Sequence, residues 1–279
     1  MKNVLKTLIF GGVSLTVADT TELVNEGMKR HRLSKGSVYL FGKALSAMTY
    51  MSSCLKEKKG EISLSLKTDG CGEIAVSGNR TLFMRGYILY TDLPEGEERA
   101  TLGKNGYVTV IRDDGYSRPF VGACALPLEG GIDEGFEEYF LSSEQLPTRI
   151  KTAVEFDEDG NCTFAGVVAL QPLPFTPADV LEKTWALPMD ELLREVKEKG
   201  LENGVKERFP EEKEVWELRE ATYRCNCSRG YLSGVLVSLG EEELRTLIKE
   251  QGSAKIHCHY CNTDYEFTGE DADQLFPKN

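Results

Sequence analysis

The sequence contains no apolar run that approaches the roughly 18 residues of a membrane-spanning helix. Two lysines precede the apolar residues 8–18, as in a signal peptide, but no A-x-A-like cleavage site follows them. The alternation of apolar and polar residues in this stretch is typical of a half-buried strand. We therefore expect a cytoplasmic protein without a membrane partner.

Positive charge and catalytic motifs are also scarce. The 33 Lys and Arg residues against 45 Asp and Glu residues give a net charge of −12. Such a chain repels phosphate backbones, so nucleic acid is not an expected partner. His31 is the only histidine before residue 257, and neither G-x-S-x-G, H-E-x-x-H nor a phosphate-binding glycine loop occurs. We predict that the protein is not an enzyme.

Residues 1–175 carry the pattern of an α+β core domain. Period-two alternation and short turns predict an antiparallel sheet, with helices covering one face. Asp19 and Glu22 predict a capping box at the start of the first helix. The second helical pattern places these apolar residues on one face: Val38, Phe41, Leu45, Met48 and Leu55.

The composition changes in residues 176–221, which contain 13 acidic and 8 basic residues. Prolines and glycines interrupt a thin apolar stripe, whose members are Leu181, Trp185, Leu192, Leu193 and Val196. We predict a charged helical linker that depends on the neighbouring domains for its stability. An ordinary solvated linker is the alternative. Both tryptophans of the chain, Trp185 and Trp216, lie in this segment.

Residues 222–279 form a unit so small that it needs a staple to fold. Two close cysteine pairs, thirty residues apart, supply the pattern of a four-thiolate zinc-binding domain: Cys225, Cys227, Cys258 and Cys261. We predict one Zn²⁺ per chain, with iron or a labile thiol cluster as the alternatives. His257 and His259 flank Cys258, but we expect them at the surface because four thiolates already saturate zinc.

A closed zinc site has two possible roles. It can be a purely structural clip, or it can sense oxidants, because zinc keeps its sulfur ligands as thiolates, the form that reacts with oxidants. The Cys-x-Cys spacing of Cys225 and Cys227 hints at sensing, since such a pair can close its own small disulfide. A nucleic-acid-binding zinc ribbon is disfavoured, because residues 222–279 contain six basic and nine acidic residues.

The other four cysteines are scattered, and a disulfide framework is not expected in a long chain without an export signal. Cys54 and Cys124 lie in apolar segments and are expected to be small core residues. Cys71 lies in a turn between two glycines, where it could be exposed. No catalytic role is expected for these three or for Cys162, since none has a histidine nearby in the sequence.

Several segments spread along the whole chain carry a family resemblance. They are residues 20–24 (TTELV), 85–87 (RGY), 139–140 with 143–145, 171–174 (QPLP), 225–228 (CNCS), 239–240 with 243–244, and 258–262 (CHYCN). With the three-part layout, they resemble the 33-kilodalton heat-shock chaperonin family of redox-regulated bacterial holdases. The cysteine pattern is the specific part. Ala165, Gly230 and Cys71 depart from the family pattern, and none of them is a predicted zinc ligand.

The resemblance implies a redox-regulated, ATP-independent chaperone. In such proteins the reduced, zinc-bound form is folded and inactive, and oxidation forms two disulfides, releases zinc and unfolds the linker. Carried over to this chain, the redox-active disulfides are Cys225–Cys227 and Cys258–Cys261. The implied partners are unfolded or oxidatively damaged client proteins, with a homodimer in the oxidised, active form. A constitutive zinc-stapled protein-binding module without a redox switch is the alternative.

Overall fold

The computed structural model describes residues 2–127, 129–210 and 217–277. The chain divides into two compact units, Met1–Arg224 and Cys225–Asn279. Both units contain strands and helices, which confirms the predicted α+β class. Within the described residues, no helix combines the length and the apolar character that a bilayer crossing requires.

The strands of the described residues, in chain order, are β1 (Val4–Ile9), β2 (Val13–Asp19), β3 (Glu61–Thr68), β4 (Gly72–Asn79), β5 (Phe83–Ile88), β6 (Gly106–Asp113), β7 (Phe120–Ala125), β8 (Arg149–Phe156), β9 (Cys162–Pro172), β10 (Glu217–Arg219), β11 (Thr222–Tyr223), β12 (Ala254–Cys258) and β13 (Thr263–Phe267). The helices are α1 (Thr21–His31), α2 (Lys35–Ser53), α3 (Glu98–Leu102), α4 (Ile132–Ser142), α5 (Ala178–Trp185), α6 (Met189–Lys199), α7 (Leu201–Arg208), α8 (Arg229–Leu239), α9 (Glu241–Gln251) and α10 (Gly269–Leu275).

The first unit contains two sheets rather than one. The five-stranded sheet has the order β10-β1-β2-β9-β8, and the six-stranded sheet has the order β11-β5-β4-β3-β6-β7. Neighbouring strands are antiparallel, as predicted, except that β11 runs parallel to β5. Helix α2 packs against strands of both sheets and therefore forms the centre of the unit.

The sequence pattern of α2 predicted burial on one face only. Its central position explains why the helix is instead buried on every side. Its residues 36–53 are buried apart from Tyr39. Small residues allow the close approach of its neighbours. A Cβ added to Gly42 would lie 3.0 Å from Val154 of β8 and 3.1 Å from Val24 of α1.

The first helix is present as predicted, but its capping box is not. Asp19 ends β2, and its carboxylate accepts hydrogen bonds from the backbone N–H and the hydroxyl of Thr21, at 3.0 and 2.6 Å. Thr20 occupies the N-cap position without a side-chain cap bond. Its hydroxyl instead lies 2.6 Å from that of Ser46, so this polar pair joins the start of α1 to α2.

Helices α5, α6 and α7 lie in the segment predicted to be a helical linker, and they pack on the five-stranded sheet. Alternate residues of β9 divide between two apolar clusters: Val167 and Ala169 face the cluster around α2, whereas Val168 and Leu170 face the linker. The linker cluster consists of Leu5, Ile9, Val13, Leu15, Val17, Phe164, Val168 and Leu170 of the sheet side with Leu187, Met189, Leu192, Leu193, Val196, Val205 and Phe209 of the linker. The linker therefore packs on the sheet through an apolar interface, although its overall composition is strongly charged.

Trp185, a member of the predicted apolar stripe, does not belong to this interface. Its side chain is 45% exposed, whereas Leu187 and Met189, next along the chain, are buried. Trp216, the second tryptophan, lies outside the described residues. The docked face of the linker therefore consists of aliphatic residues and Phe209.

A buried ionic network ties α2 to α3 and α4. The Nζ of Lys43, a residue 4% exposed, lies 2.6 Å from Oε2 of Glu98 and 3.3 Å from Oδ2 of Asp133. Asp133 also accepts a hydrogen bond from the backbone N–H of Thr152, at 3.3 Å. Burial opposes the charge on Lys43, but the two carboxylates outweigh burial and raise its pKa. Lys43 is therefore an ammonium ion held in the core by its partners.

Replacing Lys43 by Ala leaves two carboxylates without their buried counter-charge. We expect the free energy of unfolding to fall by about 3–5 kcal/mol. Lys197→Ala is the matched control, since Lys197 pairs with Glu155 where both are largely exposed, and it should cost less than about 1 kcal/mol. Urea denaturation followed by circular dichroism measures both changes, and equal losses for the two variants would contradict the structural role of the network.

Candidate metal centre

The first cysteine pair lies between two regular elements. Cys225 and Cys227 occupy an irregular segment that begins after β11. Ser228, the next residue, is the N-cap of α8, and its Oγ accepts a hydrogen bond from the backbone N–H of Tyr231 at 3.1 Å. Because this cap fixes where the helix begins, it holds the pair in a short extended segment ahead of α8.

The second pair lies at the tip of the hairpin formed by β12 and β13. Cys258 ends β12 and pairs with Thr263, the first residue of β13. Cys261 lies in the turn, where its backbone N–H donates to the carbonyl of Cys258 at 3.3 Å. Asn262 completes the turn with a left-handed φ of 52°, a conformation that asparagine tolerates well. The turn therefore aims both sulfurs to one side.

The structure brings all four sulfur atoms together. The Sγ atoms of Cys225, Cys227, Cys258 and Cys261 lie within 4.8 Å of one another. Two of these distances run between the pairs: 3.8 Å from Cys225 to Cys258 and 3.2 Å from Cys227 to Cys261. Four cysteines of one chain thus lie close enough to hold a metal ion.

The donor set and its dimensions fit a tetrahedral thiolate site. A zinc–sulfur bond of about 2.3 Å places tetrahedral sulfurs about 3.8 Å apart. The Cys225–Cys258 distance equals this value, and the Cys227–Cys261 distance would have to lengthen by about 0.6 Å. No other group of three or more His, Cys, Asp and Glu side chains within the described ranges meets the same distance condition.

The C-terminal unit has little else to hold it together. Its apolar cluster contains six buried residues: Leu232, Leu236, Leu244, Ala254, Phe267 and Ala272. Arg229 adds a contact across the unit, since its guanidinium lies over the ring of Phe267 and pairs with Asp271 at 2.7 Å. A core of this size gives marginal stability, so a shared metal would act as the missing staple.

The four sulfurs differ in acidity. Burial opposes ionisation of Cys227, but hydrogen bonds from Tyr265 and the neighbouring thiols outweigh it and lower its pKa to about 7. The hydroxyl of Tyr265 lies 3.3 Å from this sulfur. Burial raises the pKa of Cys261 to about 11 and raises that of Cys225 further. Cys227 therefore ionises more readily than Cys225 and Cys261, and a cation would be needed to keep those two charged as well.

Sequence reasoning placed the histidines correctly but missed Tyr265. His257 and His259 are exposed and lie outside the group of possible ligands, and Nδ1 of His257 pairs with Asp264 at 2.7 Å. The period-two spacing of Cys261, Thr263 and Tyr265 was the available signal, because such residues share one face of an extended segment.

The remaining cysteines lie in the first unit. Cys54 and Cys124 are partly buried against the core, as expected. Cys71 is fully buried, contrary to the possibility that its turn exposes it, and its sulfur lies 3.1 Å from Oγ1 of Thr68. Burial raises the pKa of Cys71 and raises those of Cys124 and Cys162 to about 11, so these thiols react slowly with oxidants.

Comparison with known proteins gives a consistent result over the whole chain. The sequence profile of the family described as Hsp33 protein matches residues 4–268. A 33 kDa chaperonin of Bacillus mycoides (strain KBAB4) is 33% identical, with 100% of both chains covered. A 33 kDa chaperonin of Bacillus pumilus (strain SAFR-032) is 30% identical, covering 99% of this chain and 98% of the relative.

A solved structure agrees with these sequence matches. The crystal structure of the 33 kDa chaperonin (heat shock protein 33 homolog) from Thermotoga maritima superposes with a TM-score of 0.82 at 25% identity, covering 99% of this chain and 98% of that one. Together with the four-cysteine cluster, these matches show that the chain belongs to the Hsp33 family of 33 kDa chaperonins, a membership that supports a chaperone function.

Proposed function

We propose that this protein is a redox-regulated, ATP-independent holdase chaperone of the cytoplasm, inactive when reduced and zinc-bound. The observation that carries the proposal is the convergence of four cysteine sulfurs within 4.8 Å, in a unit whose apolar core contains only six buried residues. Loss of the sulfur cluster therefore removes most of what folds that unit. The sequence contains no phosphate-binding glycine loop, which favours a chaperone that works without ATP.

Cys225, Cys227, Cys258 and Cys261 would hold one Zn²⁺ as four thiolates. Bound zinc would keep these sulfurs deprotonated and join the two cysteine segments. Four protein ligands leave no position for water, so the site suits a switch or a clip and not hydrolysis. Zinc suits the all-thiolate donor set, and iron is the alternative that elemental analysis distinguishes.

Oxidation would convert the cluster into two disulfides, Cys225–Cys227 and Cys258–Cys261. Each bridge takes two electrons from two thiolates, and one peroxide accepts them with two protons to give two waters. This pairing is what the family resemblance implies. Bridges of this kind, inside each pair, would leave the two cysteine segments untied, whereas bridges between the pairs would keep the segments joined.

The linker supplies the surface that such a switch would expose. The sheet side of the linker cluster is apolar, and α6 and α7 cover it mainly with aliphatic side chains. If the linker unfolds when the zinc site is lost, this surface becomes available to unfolding clients. An exposed apolar face of this kind also favours self-association, so we propose a homodimer in the oxidised form.

Elemental analysis should find one zinc per reduced chain. The double variant Cys258→Ser, Cys261→Ser should lose it, because two thiolates cannot satisfy a four-coordinate site. Cys54→Ser, Cys124→Ser is the matched control and should keep one zinc per chain. Wild-type zinc content in the first variant, or iron in its place, would contradict the assignment.

Titration with hydrogen peroxide should consume about two equivalents per chain, as the electron balance of two disulfides requires. Peptide mapping by mass spectrometry should then find Cys225 bridged to Cys227 and Cys258 bridged to Cys261, with Cys71 and Cys162 still reduced. First bridges that cross between the two pairs, or that involve the buried cysteines of the first unit, would show that the proposed chemistry is wrong.

Oxidation should open the linker before the core. Protease cleavage within residues 176–210 is expected to precede cleavage of β2 or α2, and protection of a denatured client from aggregation should rise in parallel. Because Trp185 is already 45% exposed, limited proteolysis is a better readout than tryptophan fluorescence. Equal client protection by the reduced and oxidised forms would instead indicate the constitutive binding module.

A further inference from the structure

The residues that lead into the C-terminal unit form a strap across the edges of both sheets. We define the strap as residues 217–224, which directly precede Cys225. Its first part, β10, pairs with β1, and its last part, β11, pairs with β5. Between them the side chain of Asn3 bonds both backbone groups of Ala221, accepting from N–H at 2.7 Å and donating to C=O at 3.2 Å.

The second half of the strap is held by few backbone bonds. The N–H of Thr222 donates to the carbonyl of Leu82 at 2.9 Å, and the N–H of Arg224 donates to the carbonyl of Met84 at 2.8 Å. A strand of two residues at a sheet edge is weak by itself. Its attachment must therefore depend on side chains.

Tyr223 is the large side chain of the strap that is buried, with 6% exposure. Its hydroxyl donates to the carbonyl of Gly86 at 2.8 Å and accepts from the N–H of the same residue at 3.3 Å. Nε2 of His31, also buried, lies 3.0 Å from the same oxygen. Because the hydroxyl proton is directed to Gly86, His31 is the donor in this contact.

The surface of α1 is shaped to accept the Tyr223 ring. A Cβ added to Gly27 would lie 3.2 Å from Cε2 of Tyr223 and 2.7 Å from Cε1 of Phe41. The guanidinium carbon of Arg30 lies 5.3 Å from the centroid of the Tyr223 ring, within the range of a cation–π contact. The ring is thus held on its face as well as at its hydroxyl.

We propose that Tyr223 and His31 form a latch that keeps the strap docked and thereby holds the chaperone in its inactive form. This inference rests on the proposed function and names a contact that restrains the switch. The strap lies in the chain between the linker helices and Cys225, so its release frees the chain on both sides. Breaking the latch therefore lowers the barrier to linker opening without touching a cysteine.

The test uses Tyr223→Phe in the full-length, reduced and zinc-loaded protein. The variant keeps the ring and removes the hydroxyl that contacts the N–H and C=O of Gly86 and Nε2 of His31. Protease cleavage within residues 176–224 should become roughly tenfold faster than in the wild type. Client protection without oxidant should rise above that of the reduced wild type, with zinc content still one per chain.

Two further variants make the result specific. Tyr116→Phe, at a tyrosine that is 71% exposed, should behave as the wild type. His31→Phe places a phenyl ring where the imidazole packs edge-on against Phe41 at 5.9 Å, but it removes the nitrogen that contacts the Tyr223 hydroxyl. It should therefore shift cleavage in the same direction as Tyr223→Phe. If Tyr223→Phe loses zinc or its core fold, His31→Phe decides the question.

Wild-type cleavage rates and wild-type inactivity in both latch variants would overturn the latch, provided that oxidised wild type protects clients in the same assay. The proposed function then stands without it. If oxidised wild type gives no protection, the proposed function itself fails, and the latch fails with it as a regulatory contact.

Discussion

The close approach of four cysteine sulfurs is the constraint on which the C-terminal unit depends. Sulfurs within 4.8 Å of one another cannot all be ionised unless a cation neutralises them. Without a cation, hydrogen bonds from Tyr265 and the neighbouring thiols lower the pKa of Cys227, whereas burial raises the pKa values of Cys225 and Cys261. The fold of a unit with six buried core residues therefore depends on what occupies the space between the sulfurs. A reaction at these sulfur atoms therefore also changes the stability of the unit.

The first unit differs from the C-terminal unit, because it has a large core of its own. Helix α2 is buried between two sheets and is pinned by the Lys43 network, whereas the linker helices cover only one outer face. Local opening takes place where the buried area is small and the backbone is near solvent. Such a unit can open its outer layer and keep its centre, which is what the proposed exposure of apolar surface would require.

Much of this could be predicted from the sequence. The antiparallel strands, α1, and the grouping of the four cysteines follow from period-two and period-3.6 patterns and from cysteine spacing. The burial of α2 on every side could not be predicted, because its pattern looks amphipathic and its polar residue Lys43 is buried only through its partners Glu98 and Asp133, which lie far away in the sequence. The strap could not be predicted either, since β10 and β11 are too short to show any alternation, and Tyr223 contacts His31 and Gly86, which lie 192 and 137 residues earlier in the chain.

The order of the bonds along the strap has a kinetic consequence. The contacts of Arg224, Tyr223, Thr222 and Ala221 are arranged in series from the carboxyl end, so a disturbance that begins at Cys225 meets them one at a time. Peeling of this kind would break the contacts of one residue at a time, and its rate would depend on the summed free energy of the contacts broken before the highest barrier. Re-attachment would run in the reverse direction, from β10 toward Cys225. Because the ratio of the two rates is the equilibrium constant, a contact that is lost only after the highest barrier would change the rate of re-attachment and the open fraction, but not the rate of opening.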